Sequence, residues 1–202
     1  MKALIIVDMQ NDFCPGGALP VKDGNTIVPA INDLMKKFDM VVATQDWHPK
    51  DHGSFASNHG KKSGEMIVIN GLDQILWPDH CVQGTQGAEF VKGLDVKRIA
   101  RVFQKGMDKG VDSYSGFFDN GHKNATGLGD YLKQQKVTEV YVVGLATDYC
   151  VKFTALDAVG LGFKTFLITD ACKGVELQAG DVARAVNEMK LKGVVTEGAD
   201  RN

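Results

Sequence analysis

A cysteine at the junction of a predicted strand and a predicted helix is the residue best placed for nucleophilic chemistry. The β-branched run at 140–143 predicts a buried strand, Gly144 a turn, and the apolar residues at helical spacing after Cys150 a helix. With Thr147 or Asp148 as N-cap, Cys150 lies in the first helical turn, where unpaired N–H groups favour the thiolate and could bind an oxyanion. From position alone, the alternative is a small buried apolar side chain.

Three other polar residues occupy equivalent places in the chain. Each follows a predicted strand: Asp8 after 3–7, Asp46 after 40–44 and Lys105 after 98–103. Sites in open α/β sheets lie beyond the carboxyl ends of the strands, so we expect these residues to converge with Cys150. An acid there can accept the thiol proton, and a lysine can stabilise the thiolate. Taken singly, Asp8 could be a loop cap and Lys105 an ordinary surface lysine.

Asp46 and His48 also suggest a metal site. Residues two apart in an extended backbone point to the same side, and a carboxylate beside an imidazole suits a divalent cation. His80 lies in a turn-rich segment that could fold back as a third ligand. His52 and His59 are further candidates. Loop histidines are commonly solvated, however, and we interpret His59 in that way.

The order of predicted elements indicates the fold class. A β-α-β start is followed by an irregular segment at about 46–97 and then by β-α-β-α-β-α-β. Such alternation predicts an α/β, doubly wound, mainly parallel six-stranded sheet with helices on both faces, a Rossmann-like three-layer arrangement. The length of 202 residues suits a single domain, 1–202, with a metal-binding insertion at about 46–97.

Composition excludes several classes of function. The net charge of −2 gives no sign of binding to nucleic acid or to a membrane surface. No apolar run approaches 18 residues and the start of the chain does not read as a secretion signal, so we expect a cytoplasmic location and no membrane partner. The four cysteines are widely spaced and are expected to be free thiols (Cys14, Cys81, Cys150 and Cys172). No G-x-G-x-x-G follows the first strand, which argues against a dinucleotide-binding domain.

Taken in order, these motifs resemble those of the isochorismatase-like cysteine hydrolases, and among them most closely the nicotinamidases. The resemblance covers essentially the whole chain, and its combination of motifs is far more specific than any single motif. The matching segments are Ile-Val-Asp8-Met-Gln-Asn-Asp-Phe13, Thr-Gln-Asp46-Trp-His48-Pro, Trp77-Pro-Asp-His80-Cys-Val, Lys105-Gly, Asp112-Ser-Tyr-Ser-Gly-Phe117 and Gly144-Leu-Ala-Thr-Asp-Tyr-Cys150-Val.

The resemblance implies a role for each matching residue. Asp8, Lys105 and Cys150 match the catalytic triad of the family, and Asp46, His48 and His80 match the metal ligands of its nicotinamidases. The backbone N–H groups of Ala146 and Cys150 would form the oxyanion hole, with a cis peptide between Leu145 and Ala146. Phe13, Trp77 and Tyr114 match positions that wall the pyridine pocket, and Tyr149 is a variable position beside them. A further metal-shell residue varies among relatives; of Ser54, His52, His59 and Glu65 we favour Ser54, acting through water.

The function implied by the resemblance is metal-dependent hydrolysis of nicotinamide to nicotinate and ammonia through a thioester on the enzyme, a step of NAD salvage. Pyrazinamide is expected to be accepted too. Zinc suits the ligands, and iron or manganese fit nearly as well. One alternative is a related amidohydrolase acting on an N-carbamoyl or ureido compound. Another is a non-catalytic metal- or redox-responsive module that uses Cys14 and Cys81. The sequence leaves open whether the chain forms a homo-oligomer.

Overall fold

The predicted strands form one sheet, and the computed structural model describes residues 1–199 of the chain. The sheet contains β1 (Lys2–Val7), β2 (Met40–Asp46), β5 (Arg101–Lys105), β6 (Glu139–Leu145), β7 (Lys164–Lys173) and β8 (Val195–Glu197). Two further strands, β3 (Met66–Ile69) and β4 (Leu72–Ile75), pair separately as an antiparallel hairpin. The helices are α1 (Val28–Met35), α2 (Leu128–Gln134), α3 (Lys152–Gly160) and α4 (Asp181–Leu191).

The strand order in the sheet is β5-β2-β1-β6-β7-β8, and all five pairings between these strands are parallel. The six-stranded, doubly wound prediction is therefore confirmed, and the sheet within 1–199 is wholly rather than mainly parallel. The central strands are apolar without alternation because both of their faces are covered.

Two apolar cores lie on opposite faces of the sheet. On one face α1 packs against β1, β2 and β6, and Pro29 is tolerated because it lies in the first turn of that helix. On the other face α2, α3 and α4 cover the same strands through Leu132, Ala155, Met189 and their neighbours. Helices on both sides make the predicted three layers.

The register of the parallel strands aligns their polar ends. Asp46, the last residue of β2, is the direct partner of Lys105, the last residue of β5. Val7 at the end of β1 pairs with Gly144 near the end of β6, so Asp8 and the turn before Cys150 also meet at this edge. Strand pairing alone thus brings residues from four parts of the chain together.

Several local features of the fold do not follow from the sequence patterns. The β3–β4 hairpin was not predicted, because its first strand exposes Met66 and Val68 and so lacks an apolar face directed at the main core. α2 begins only at Leu128, since Gly127 before it adopts a left-handed conformation that a helix cannot contain. β7 extends to Lys173 and re-pairs with the end of β6 after a register shift.

Among the described residues, none of the helices combines the length and the apolar character required to cross a bilayer.

Gly144 and Gly160 offer a matched test of backbone constraint. Gly144 has φ +112°, and a Cβ there would lie 2.1 Å from the Val7 carbonyl oxygen, whereas a Cβ on Gly160, at the end of α3, would meet nothing within 4 Å. We predict that Gly144→Ala lowers the free energy of unfolding by about 2–4 kcal/mol. Gly160→Ala should raise it by about 0.5–1 kcal/mol, since it removes backbone entropy from the unfolded chain.

The measurement is urea unfolding of both variants beside the parent protein. Equal stability of the Gly144→Ala protein and the parent would contradict the close approach of β1 and β6 at this point.

Candidate active site

Asp8, Lys105 and Cys150 converge at the carboxyl edge of the sheet. The Lys105 Nζ atom lies 2.9 Å from Asp8 Oδ2 and 3.5 Å from Cys150 Sγ. A carboxylate oxygen of Asp8 and the sulfur of Cys150 lie within 4.8 Å of each other. Thr44 Oγ1 donates to Asp8 Oδ1 at 2.6 Å and fixes the rotation of that carboxylate. The three groups therefore have the contacts that transfer of a proton from a thiol to a nearby acid requires.

Lys105 is the most constrained ionic group of the site. It is 2% exposed, and its ammonium also donates to Asp46 Oδ1 at 2.6 Å and to the Ser113 carbonyl oxygen at 2.8 Å. Burial alone would lower the pKa of Lys105, but the carboxylates of Asp46 and Asp8 outweigh it and raise that pKa well above its usual range. Lys105 is thus a permanent cation.

The resting thiol is neutral, contrary to what its place at a helix start predicted. Complete burial raises the pKa of Cys150 well above its usual range, and the attraction of Lys105 only partly opposes this. Burial likewise raises the pKa of Asp8, against the opposing effect of Lys105. A helix N-terminus favours a thiolate only if no stronger desolvation acts on it, so the acid must take the proton as the reaction proceeds.

The turn that carries the nucleophile is wider than the predicted α-helical turn. After a cis peptide between Leu145 and Ala146, as the resemblance implies, residues Thr147–Val151 form one π-helical turn that leads into α3. The Ala146 carbonyl oxygen accepts the N–H groups of Tyr149 and Val151 at 3.0 and 3.1 Å. The predicted capping by Thr147 or Asp148 was wrong, because neither side chain caps this turn.

Two histidines present unprotonated ring nitrogens to Asp46. His48 Nδ1 donates to the Gly106 carbonyl oxygen at 2.8 Å, and His80 Nδ1 donates to the Pro78 carbonyl oxygen at 2.7 Å. Since a carbonyl can only accept, the proton of each neutral ring lies on Nδ1 and the lone pair on Nε2. These Nε2 atoms lie 3.6 Å (His48) and 4.0 Å (His80) from Asp46 Oδ2.

This arrangement fits a divalent metal ion. Ligand atoms of Asp46, His48 and His80 all lie within 4.8 Å of one another, and His48 Nε2 is buried without a hydrogen-bond partner among residues 1–199. Burial lowers the pKa of His80 to about 4, so that ring is neutral near pH 7. Asp46 outweighs burial and raises the pKa of His48, so a proton competes for this nitrogen up to a higher pH than for an ordinary histidine. One carboxylate and two imidazoles are a common donor set for zinc and its neighbours.

The four candidates for a further metal-shell residue lie in different surroundings. His52 is buried and its ring lies 4.2 Å from that of His48, but its Nδ1 accepts the Ser54 N–H at 3.3 Å, which leaves the proton on Nε2. The Ser54 hydroxyl is hydrogen-bonded to the same Nδ1 at 2.8 Å, and its water-mediated role stays a prediction. His59 bonds the Gly53 carbonyl oxygen at the surface, and Glu65 pairs with Lys61, so both lie apart from the site.

A narrow, mainly apolar cavity connects the sulfur with the metal-ligand cluster. Its lining includes all four predicted pocket residues: Phe13, Trp77, Tyr114 and Tyr149. Tyr149 meets Trp77 and Tyr114 edge-on at 5.0 and 5.5 Å, and Trp77 Nε1 donates to the Tyr114 hydroxyl at 3.2 Å. These contacts hold flat side chains around a space suited to a planar ring.

Sequence reasoning missed three residues of the cavity lining: Leu19, Asp112 and Val175. Asp112 lies in a motif that the resemblance covers, so a signal for it existed. Leu19 and Val175 carry no chemistry of their own, and no pattern in the chain indicates that they face this cavity. A larger cleft, of about 610 Å³, lies at the opposite edge of the sheet beside Lys2, Glu139 and Lys164, away from the triad.

The remaining cysteines give no support to a redox-responsive module. Cys14, Cys81 and Cys172 are buried free thiols. Burial raises the pKa of Cys14 to about 11 and that of Cys81 well above its usual range. Neutral, inaccessible thiols react slowly with oxidants and disulfides.

Two lysines allow a test of the buried ion cluster. Lys105→Met keeps the aliphatic stem but leaves the carboxylates of Asp8 and Asp46 buried without their cation, so we predict a loss of about 3–5 kcal/mol in unfolding free energy. Lys109→Met removes an ion pair with Asp51 in which both side chains are about two-thirds exposed, and should change stability by less than about 0.5 kcal/mol.

Chemical unfolding at pH 7 measures both effects. Similar stability of the two lysine variants would mean that the buried cluster does not need its cation.

Comparisons with known proteins show the family to which this chain belongs. A family model described as the isochorismatase domain matches residues 2–200. The nicotinamidase of Escherichia coli (strain K12) is 50% identical over 196 residues, which are 95% of this chain and 92% of that protein. The structure of an Acinetobacter baumanii nicotinamidase/pyrazinamidase superposes with a TM-score of 0.95 at 49% identity, covering 98% of this chain and 96% of that chain. The pyrazinamidase of Pyrococcus horikoshii in complex with zinc superposes with a TM-score of 0.81 at 41% identity, covering 98% of both chains.

The family model spans almost the whole sequence and these relatives match along nearly their full lengths, so the protein belongs to the isochorismatase domain family.

Proposed function

We propose that this protein is an amidohydrolase that converts nicotinamide into nicotinate and ammonia through a thioester on Cys150. The observation that carries the proposal is the sharing of Asp46 between two clusters. Its Oδ1 receives the ammonium that also contacts Asp8 and Cys150, and its Oδ2 faces His48 and His80. Asp46 thus places a group of metal ligands next to the nucleophile. This arrangement suits a small substrate that has both an amide, for attack by the sulfur, and a ring nitrogen, for the metal ion.

The relatives support this choice of substrate. Proteins named as nicotinamidases share about half of their residues with this chain over nearly its full length. The name of the Acinetobacter protein includes pyrazinamidase activity, and we extend the proposal to pyrazinamide, which has the same ring-and-carboxamide shape. The reaction returns nicotinamide to the supply of pyridine nucleotides.

We assign the metal site to Asp46, His48 and His80 and propose zinc as its ion. Imidazole nitrogens and a carboxylate oxygen are ligands that zinc accepts, the two imidazoles are held in the ligating tautomer, and a relative has been solved in complex with zinc. When bound, the ion supplies a Lewis acid that anchors the ring nitrogen of the substrate. The carbonyl groups of Gly106 and Pro78 fix the orientation of the His48 and His80 imidazole rings, which reduces the entropy that these side chains lose when the ion binds.

In the acylation step Asp8 accepts the proton of Cys150 as the sulfur attacks the amide carbon. Lys105 stabilises the developing thiolate because its ammonium lies 3.5 Å from the sulfur in a buried site. Burial raises the pKa of Asp8, which makes this carboxylate a stronger base than an exposed aspartate and so suits it to accept the thiol proton and to return it to the leaving ammonia.

The N–H groups of Ala146 and Cys150 are assigned to the oxyanion that forms during attack. Loss of one such donor typically slows a reaction about 10²–10³-fold. In the second step Asp8 removes a proton from water, the resulting hydroxide attacks the thioester, and nicotinate leaves as the thiol is restored. The aromatic walls formed by Phe13, Trp77 and Tyr114 hold the ring in plane during both steps and exclude bulk water.

Cys150→Ala tests the covalent mechanism. We predict that ammonia release from nicotinamide falls at least about 10⁴-fold, since the nucleophile is lost, while the bound metal content stays unchanged. Cys172→Ala is the matched control, because Cys172 is an equally buried thiol outside the cavity lining and its loss should leave turnover near the parent value.

Substantial turnover by the Cys150→Ala protein would point to attack by a metal-bound hydroxide instead. Faster ammonia release by the parent from N-carbamoyl or ureido compounds than from nicotinamide would reassign the substrate.

His80→Ala and His48→Ala test the metal site. Each change removes one of three ligands, so we predict that metal content, measured by elemental analysis, falls together with activity, each by at least about tenfold. His122→Ala serves as the control, because that histidine is exposed and pairs with Asp157 away from the site. Full activity in metal-free protein would remove both ligands from the mechanism.

A further inference from the structure

The segment that follows β7 closes one side of the candidate active site. Val175 lines the cavity together with Ala146 and Cys150, although it lies 25 positions beyond the nucleophile in the sequence. It belongs to an irregular connection between the end of β7 at Lys173 and the start of α4 at Asp181. An irregular segment needs specific contacts if its side chains are to form a fixed wall.

Asp148 supplies two of those contacts from within the nucleophile turn. Its side chain is buried, and its two carboxylate oxygens accept the backbone N–H groups of Val175 at 2.9 Å and Glu176 at 2.8 Å. Hydrogen bonds to an ionised acceptor are roughly twice as strong as neutral ones. The approach is close as well: a Cβ on Gly174 would lie 3.0 Å from Asp148 Oδ1.

The far side of the same segment is tied to α4. Glu176 adopts a left-handed conformation with φ +55°, and its carboxylate accepts the N–H groups of Gly180 at 2.5 Å and Val182 at 3.0 Å. A Cβ on Gly174 would also lie 2.1 Å from Val182 Cγ2. The segment is therefore held between the nucleophile turn and the start of a helix.

We propose that Asp148 is a positioning residue that holds Val175 against the substrate, and that Val175 determines which ring substituents the site accepts. The inference rests on the proposed amidohydrolase function and adds to it a specificity wall and its support. Asp148 lies two residues before Cys150, so a single turn fixes the position of the nucleophile and also the position of Val175, which faces the substrate.

Asp148→Asn is the sharpest variant, because the amide keeps one acceptor oxygen but turns an N–H donor towards the second backbone N–H. We expect the KM for nicotinamide to rise roughly tenfold with kcat within about threefold of the parent, since the reacting groups stay in place. Val175→Ala should raise kcat/KM for at least one of the four ring-methyl nicotinamides, relative to nicotinamide, by roughly tenfold or more.

Coupling between the two positions separates positioning from a general structural effect. If Asp148 acts through Val175, then Asp148→Asn alone should change the kcat/KM for methyl-nicotinamides relative to nicotinamide. The same substitution should change this ratio little further in a protein that already carries Val175→Ala. Asp181→Asn is the matched control: Asp181 also accepts a backbone N–H of this connection, that of Gln178 at 2.8 Å, but lies outside the cavity lining, so selectivity should not change.

Amide hydrogen exchange adds a readout that is independent of turnover. Asp148→Asn should speed the exchange of the Val175 and Glu176 amides at least about tenfold, and Asp181→Asn should leave them unchanged. Unchanged exchange of both amides in a folded Asp148→Asn protein, or unchanged methyl selectivity in Val175→Ala, would overturn the inference. If Asp148→Asn does not fold, the methyl selectivity of Val175→Ala still tests whether Val175 determines which ring substituents the site accepts. Inactivity of the parent towards nicotinamide would instead contradict the proposed function, and the exchange measurement would still test the positioning.

Discussion

The structure depends on one buried ammonium group. The Lys105 side chain lies between the carboxylates of Asp8 and Asp46 and reaches the sulfur of Cys150, and all four residues are buried. Removing this ammonium would leave both carboxylates buried without their cation, which costs far more than the ion pairs contribute as a whole. The strand ends that carry them must therefore keep their register, and the β2–β5 pairing of Asp46 with Lys105 is the part of the sheet where fold and chemistry coincide.

The same cluster explains how a cysteine that is neutral at rest can serve as a nucleophile. Burial raises the pKa of both Cys150 and Asp8, so the proton that moves between them stays inside the site. Lys105 keeps its charge throughout and stabilises whichever partner becomes negative. Because Asp46 uses one oxygen for Lys105 and the other for the histidine pair, a change in the metal site would alter the electrostatics at the sulfur.

Sequence reasoning worked where chemistry or periodicity left a signal and failed where only packing mattered. The six strands, the convergence of Asp8, Lys105 and Cys150, and the grouping of Asp46 with His48 and His80 were all anticipated, because polar residues after apolar runs are rare enough to be noticed. The side chain of Asp148 was expected to cap its own helix and instead binds a segment 27 positions away. Helix-capping preferences depend only on the residue type and its place in the sequence. They cannot predict that folding brings a different hydrogen-bond donor close to the same side chain. Val175 was missed for a related reason: nothing in the sequence distinguishes a valine that lines a cavity from any other valine in an irregular segment.

Residue types and spacings were enough to identify the reactive groups and the parallel sheet that brings them together, because strand ends, turns and ligand types are local properties. The protonation of the thiol, the tautomers of His48 and His80, and the residues that close the cavity follow only from the fold. Each of these depends on what surrounds a group in space: burial sets the pKa of Cys150, and carbonyl groups distant in the chain or held by a turn place the imidazole protons. Desolvation and hydrogen-bond partners are properties of the folded chain, and residue types and spacings do not contain them.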